Sequence, residues 1–229
     1  MPELPEVERF RQLLLPLVST EADDASFVVE CSDSAHGNKR IQLTEDEVQM
    51  VSAQYRCSDV RRKGKQLALV LLEQGGNSKA SSNPIYLMLH MGMTGQIRVP
   101  GVTVNWGAKK VWDDVATELM NVDDDGVTAS TPPRYTQLIF RCYNNKTAST
   151  TFTAYFCDPR KFGSCSLVSD TTSMDALAPD ALLCEDANTI ASRILPRLAR
   201  QRLGIKAILL DQKRAVSGVG NWCVHDQLG

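Results

Sequence analysis

Near the start of the chain the apolar residues Val7, Phe10, Leu14 and Leu17 recur at steps of three and four. That spacing places them on one face of a helix running through LPEVERFRQLLLPLVS, with Pro5 suited to its first turn and Pro16 close to its end. Beyond it the period shortens. The segments SFVVECS, KQLALVLLE, PIYLMLHM, GQIRVP, YTQLIFRCY, TFTAYFC and GSCSLVS read as short strands. In YTQLIFRCY, Leu138, Phe140 and Cys142 share one face while Gln137 and Arg141 take the other, the pattern of a half-buried antiparallel strand. Many short strands separated by Gly and Asn imply a sandwich or barrel.

Two stretches break this pattern. EQGGNSKASSNP is rich in Gly, Ser and Asn; NVDDDGVTASTPPR is acidic and then Pro-rich, and is expected to be disordered. Near Ser169 the strand pattern stops, and the rest of the chain reads as linker and helices. The expectation is an α+β chain: a β-rich domain over 1–169 built as an antiparallel sandwich with its N-terminal helix, then a helical domain over 170–229.

Composition narrows the class. With 229 residues, 43% of them hydrophobic, the chain can bury a substantial core. No apolar run approaches the ~20 residues of a membrane span, and the charged start lacks the apolar stretch of a secretion signal. Seven cysteines, none within a C-x-x-C pair, give neither a disulfide framework nor a zinc half-site and fit reduced thiols. The net charge of −2 does not announce a polyanion partner, but its distribution does more. Seven basic residues (Arg193, Arg197, Arg200, Arg202, Lys206, Lys213 and Arg214) face one acid, Asp211, in a single segment, and RRKGK forms a second basic knot at Arg61–Lys65.

The opening MPELPE carries candidate chemistry. Removal of the methionine would leave Pro2 with a free secondary amine, which titrates near ~8 and is nucleophilic at neutral pH. Such an amine can attack an electrophilic carbon and form an iminium, with Glu3 beside it to move protons. The alternative reading of the same residues is a helix cap with acids in its first turn.

Taken together and in order, MPELPEVE, RRKGK, LHMGMTGQIRV, DPRKFGS and LLDQKRAVSGVGNW resemble the formamidopyrimidine-DNA glycosylase and endonuclease VIII family, from residue 1 to residue 222. The resemblance implies a β-sandwich domain with the N-terminal helix beside the active site, then a domain with a helix-two-turns-helix motif. It implies excision of an oxidised base of the formamidopyrimidine and 8-oxoguanine class, with strand cleavage at the abasic site. The partner is double-stranded DNA carrying an oxidised base or an abasic site; no cofactor, membrane or second copy of the chain is called for, and a nuclear location is expected.

By the same resemblance Pro2 is the nucleophile and Glu3 the acid/base. Glu6 orients the terminus or the lesion, unless it is only a first-turn acid, and Lys65 binds phosphate beside the lesion, unless it is only a solvated hairpin residue. Flipping a base out of the stack costs a few kcal/mol and leaves a hole. Met93, Arg160 and Phe162 resemble the residues that fill it, a thioether and a ring as wedges and a guanidinium for the orphaned base. Taken singly, Met93 and Phe162 also suit a core. His90 is either a phosphate contact or a satisfied strand histidine. Asn221 and Lys206 are phosphate contacts, Asp211 ties helices together, and Leu209 and Leu210 are core.

The ending departs from the family, whose members continue past GxGNW into a second helix and a zinc finger or, in plants and fungi, a metal-free hairpin. A truncated, plant- or fungal-like member without zinc is therefore expected, with the extension between Gly101 and Arg134 as a second pointer. Two other classes compete. A lesion-binding fragment with weak or no catalysis is one. An N-terminal-proline tautomerase is the other, but that class has much shorter subunits and no use for DPRKFG or GVGNW.

Overall fold

The protein is described by a computed structural model over residues 2–19, 25–35, 37–74, 83–102, 132–147, 149–183, 188, 190–200, 202–221 and 224. Most of the two stretches read as loops, at 75–82 and 103–131, lies outside the described residues.

Helix α1 spans Leu4–Leu14. Glu3 and Glu6 close its first turn as a capping box, with the Glu3 amide donating to Glu6 Oε2 at 2.6 Å. Pro16 ends it in a single tighter turn, Leu15–Leu17. The apolar face read from the spacing is the buried one: Val7, Phe10, Leu14 and Leu17 are at most 1% exposed.

Two sheets complete the domain. Strands β1 (Ala25–Cys31), β7 (Thr136–Asn144), β8 (Ser149–Cys157) and β6 (Gln96–Arg98) form one, in that order. The other runs β2 (Ile41–Gln42), β9 (Ser164–Val168), β5 (Ile85–His90), β4 (Gln66–Glu73) and β3 (Tyr55–Lys63). Phe27, Phe140, Phe156 and Ile97 from the first meet Leu67, Leu69, Leu87 and Leu89 from the second in one core, to which α1 adds Val7, Phe10 and Leu14. Each such side chain contributes roughly 1.5–3 kcal/mol when fully buried. The fold is thus a mixed α+β sandwich, as expected, antiparallel except for the two-residue pairing of β2 with β9, which is parallel.

One local expectation needs correction, and two elements were missed. Gln137 is 0% exposed, so β7 is covered on both faces: the Asn38 amide donates to Gln137 Oε1 at 2.9 Å, and Ile139 packs with Tyr155 and Cys157. Strand β3 was not legible because its register shifts between Cys57 and Asp59. The core-facing Cys57 and Val60 therefore stand three apart rather than two. Helix α2 (Glu45–Gln54) buries only Val51 and has little apolar periodicity; its signal is the Thr44–Glu47 capping box in TEDE.

After Ser169 the described elements are short helices: α3 (Thr172–Asp175), a π-helical turn over Ile190–Ile194 that leads into α4 (Leu195–Ala199), and α5 (Ile205–Leu210). Ile194, Ile208, Ala215 and Val216 make a small core of their own. Of the two leucines read as core, Leu209 packs against it half-buried, while Leu210 turns toward a cleft. Among the described residues no helix is long and apolar enough to cross a membrane.

Glu8 joins α1 to β3. Its carboxylate accepts from Arg11 Nη2 at 2.8 Å and from Arg62 Nε at 2.8 Å, and it is held down to about 2, against an ordinary 4.5. The hydrogen bonds of Arg11 lead this shift, burial opposes it, and Arg62 adds to it. A carboxyl lowered on folding stabilises the fold above its unfolded value, and that gain is lost as pH falls from 4.5 toward 2. Glu8→Gln protein is expected to be less stable by about 2 kcal/mol near neutrality, at ~1.4 kcal/mol per pKa unit with part of the shift screened. Urea midpoints of both proteins over a pH series check this: the gap should close on acidification, and a gap independent of pH would contradict it.

Candidate active site

Strands β3 and β4 are joined by the two-residue turn Gly64-Lys65, with Lys63 paired to Gln66. Gly64 has φ +57°, a conformation that a side chain strains and glycine takes freely. The turn delivers Lys65 into the interior, where it is 8% exposed, so the solvated-hairpin reading fails.

There it meets the chain start. Glu3, 6% exposed, and Lys65 converge on Gly220: a methyl group built on Gly220 would overlap Glu3 Oε1 and stand 2.5 Å from Lys65 Nζ. Glycine at 220 thus lets the backbone approach the two charged ends, which a side chain there would displace. The loop Ser217–Gly220 that provides it is held by Gln212, whose Oε1 accepts from the Gly218 amide at 2.6 Å and whose Nε2 donates to the Val219 carbonyl at 3.0 Å.

These elements enclose a cleft of about 460 Å³. Pro2, Lys65, His90 and Asn221 line it, joined by Gln66, Gln212, Lys213 and Val219. Four of the candidate catalytic and phosphate-binding residues thus share one cavity although they span positions 2 to 221, and Leu210 and Asp211 line it as well. Glu3 and Glu6, which follow Pro2 in the chain, are linked by the capping box and are not among the residues lining the cavity.

His90 answers to both of its readings. Its Nδ1 accepts from the Gly92 amide at 3.0 Å, so a neutral ring presents Nε2–H as a donor. Its pKa is lowered, first by desolvation at the cleft wall and then by the charges of Lys65 and Arg40, although the ring keeps an exposed edge. This direction favours the neutral ring.

Met93, Arg160 and Phe162 are not in the cleft lining. Met93 is 45% and Phe162 39% exposed, so neither is a core residue. They stand on two loops that are locked together. Asp158 accepts from Thr94 Oγ1 at 2.6 Å and from the Gly163 amide at 2.7 Å, and Gly92 lies against the Phe162 backbone with no room for a side chain. The Arg160 guanidinium lies 4.8 Å from the centre of the Phe162 ring.

Lys206 is exposed on α5 and is not among the residues lining the cleft. Asp211 bonds locally, accepting from the Lys213 amide at 3.0 Å and from Arg214 Nε at 2.7 Å. The seven basic residues of the 193–214 segment are all exposed. Arg62 of the RRKGK knot is not: its side chain is 2% exposed and committed to Glu8 and Asp180. Among the described residues no group of three His, Cys, Asp or Glu side chains is placed to hold a metal ion.

Sequence reasoning missed Gly220 as a contact, along with Gln212, Gln66 and Asp180. Gln212 and Gly220 lie inside one of the motifs, LLDQKRAVSGVGNW, but only the folded loop tells which of its residues hold and which touch.

Comparison with known proteins gives the chain its relatives. Residues 1–165 match the formamidopyrimidine-DNA glycosylase N-terminal domain. Curated relatives include the formamidopyrimidine-DNA glycosylases of Azorhizobium caulinodans, 28% identical over 234 residues, and Caulobacter vibrioides, 30% identical over 239; each alignment takes in 100% of this chain. The chain spans 66% of the length of the first of these relatives and 67% of the second. Among solved structures, the MutM (Fpg) protein of Thermus thermophilus is similar with a TM-score of 0.57 and 25% identity, over 96% of this chain and 60% of its own. The Lactococcus lactis Fpg in complex with abasic-site DNA shares the fold at 18% identity, with a TM-score of 0.56 over 96% of this chain and 63% of its own.

Proposed function

The chain belongs to the formamidopyrimidine-DNA glycosylase family, and from that premise and the cleft at Pro2 we propose that it excises oxidised bases from double-stranded DNA and cuts the strand at the resulting abasic site. The observation that carries the reading is that Pro2, from the chain start, and Lys65, from a distant hairpin, line one cavity, with the Glu3 carboxylate meeting Lys65 at Gly220.

In this reading removal of Met1 frees the Pro2 amine. Its lone pair attacks C1′ of the flipped nucleotide, the C1′–N bond breaks, and the base leaves with a proton. Glu3 protonates the sugar ring oxygen as the ring opens, and the nitrogen and C1′ become an iminium. The iminium draws electrons from C2′ when a proton is removed there, so the 3′ phosphate leaves by elimination and the 5′ phosphate is lost next. Lys65, Lys213 and Asn221 supply a cationic and polar wall for phosphate, and the neutral His90 donates through Nε2. Met93, Phe162 and Arg160 are exposed on rigidly joined loops, as wedges into a base stack must be. The exposed basic segment 193–214 provides backbone attraction in a chain of net negative charge.

The test is borohydride reduction during incubation with an abasic-site duplex. The iminium should be captured as a stable protein–DNA adduct. Absence of any adduct with active-concentration protein would refute the proposal.

A further inference from the structure

Behind the Gly64-Lys65 turn lies a buried ion pair that the proposed chemistry does not use. Arg62 and Asp180 are 8% and 5% exposed. Arg62 Nη1 donates to Asp180 Oδ2 at 2.5 Å and Nη2 to Oδ1 at 3.0 Å, a two-point contact. The pair also grips the turn at both ends of one residue: the Gly64 amide donates to Asp180 Oδ2 at 2.5 Å, and the Gly64 carbonyl accepts from Arg62 Nη1 at 3.1 Å. Asp180 further accepts from the Leu182 amide at 2.9 Å. The residues on either side of it hold the glycine loop, with the Ser217 amide donating to the Pro179 carbonyl at 2.8 Å and the Ala181 amide to the Ser217 carbonyl at 3.0 Å. One carboxylate therefore stands at the joint between the turn that carries Lys65 and the loop that carries Gly220.

We infer that Asp180, with Arg62, is a positioning residue that fixes Lys65 against Glu3 by clamping the Gly64 peptide to the Ser217–Gly220 loop. A buried ion pair stabilises little relative to apolar residues of the same volume, so what this one contributes is geometry. Gly64 can turn freely without it, because glycine at φ +57° has many alternatives. A shift of about 1 Å in a reacting group costs on the order of 10²-fold in rate.

The inference rests on the proposed lyase reading, and its test separates the two. Single-turnover borohydride trapping on an abasic-site duplex is measured at saturating protein, and duplex affinity is measured without borohydride. Three variants are compared with the parent. Asp180→Asn places an amide against two donors and opens the clamp. Arg62→Lys keeps the charge but cannot hold both carboxylate oxygens and the Gly64 carbonyl, and it serves if Asp180→Asn does not fold. Glu8→Gln weakens the other side of Arg62 and leaves the Asp180–Gly64 contacts in place. The saturating trapping rate should fall about tenfold to 10²-fold in the first two variants, with duplex affinity within about threefold, and stay at the parent rate in Glu8→Gln. Trapping by the parent with an unchanged rate in Asp180→Asn or Arg62→Lys overturns the inference, as does equal slowing in Glu8→Gln, which would mean general destabilisation. No trapping by the parent overturns the lyase reading instead.

Discussion

Glu3→Gln protein is expected to release an oxidised base about 10²- to 10⁴-fold more slowly than the parent, the range by which a positioned acid or base accelerates a reaction. Glutamine keeps the shape of the side chain and its place beside Gly220 and Lys65 but has no acidic proton to give the sugar oxygen. Affinity for lesion duplex should change little, because Glu3 is buried beside α1, whereas Lys65, His90, Lys213 and Asn221, the groups proposed to meet phosphate, line the cleft. On a pre-formed abasic site the base has already gone, so the variant should still form some adduct. Single-turnover base release and adduct yield, measured side by side, check both halves. Base release at the parent rate would remove Glu3 from the chemistry.

Gly220→Ala is expected to lose about 10²-fold in the same reaction while melting close to the parent temperature. The added methyl would overlap Glu3 Oε1 and Lys65 Nζ. These are the far ends of flexible side chains, so they yield and the fold survives. Yielding moves the acid and the ammonium away from Pro2 together, and a displacement of about 1 Å is enough for that loss. Gly220 is not among the residues with positive φ, so alanine adds no backbone strain there. Parent-level activity would mean that the contact with Glu3 and Lys65 has no part in the reaction. A collapse in melting temperature would mean that Gly220 is needed for packing instead.

The sequence and the fold agree where a single physical rule acted alone. The face of α1 came from a 3.6-residue period, because Val7, Phe10, Leu14 and Leu17 pack on one core. The seven segments read as strands overlap β1 and β4–β9. Strand β3 escaped because its bulge breaks alternation, and α2 because a helix that buries one residue needs almost no apolar stripe. At the site, short motifs pointed to Pro2, Lys65, His90 and Asn221 one by one; their meeting in one cleft is a tertiary fact that spacing along the chain does not hold. Arg62 looked like part of a basic surface because charge along a sequence says nothing of burial. Its partner Asp180 lies 118 residues away. Gly220 has no side chain for a sequence pattern to read, whereas in the fold it leaves room for Glu3 and Lys65.

The central claim is that the N-terminal proline is the nucleophile, and the mass of a tryptic peptide decides it most directly. Protein lacking Met1 is trapped with borohydride on an abasic-site duplex, digested, and the peptide carrying the reduced sugar is sequenced by tandem mass spectrometry. The sugar should sit on the nitrogen of Pro2, and Pro2→Gly protein should give a different yield with the adduct still at its terminus or none at all. An adduct mapped to Lys65 in the parent, or trapping that is unchanged when the terminus is blocked by a retained Met1, would contradict the account.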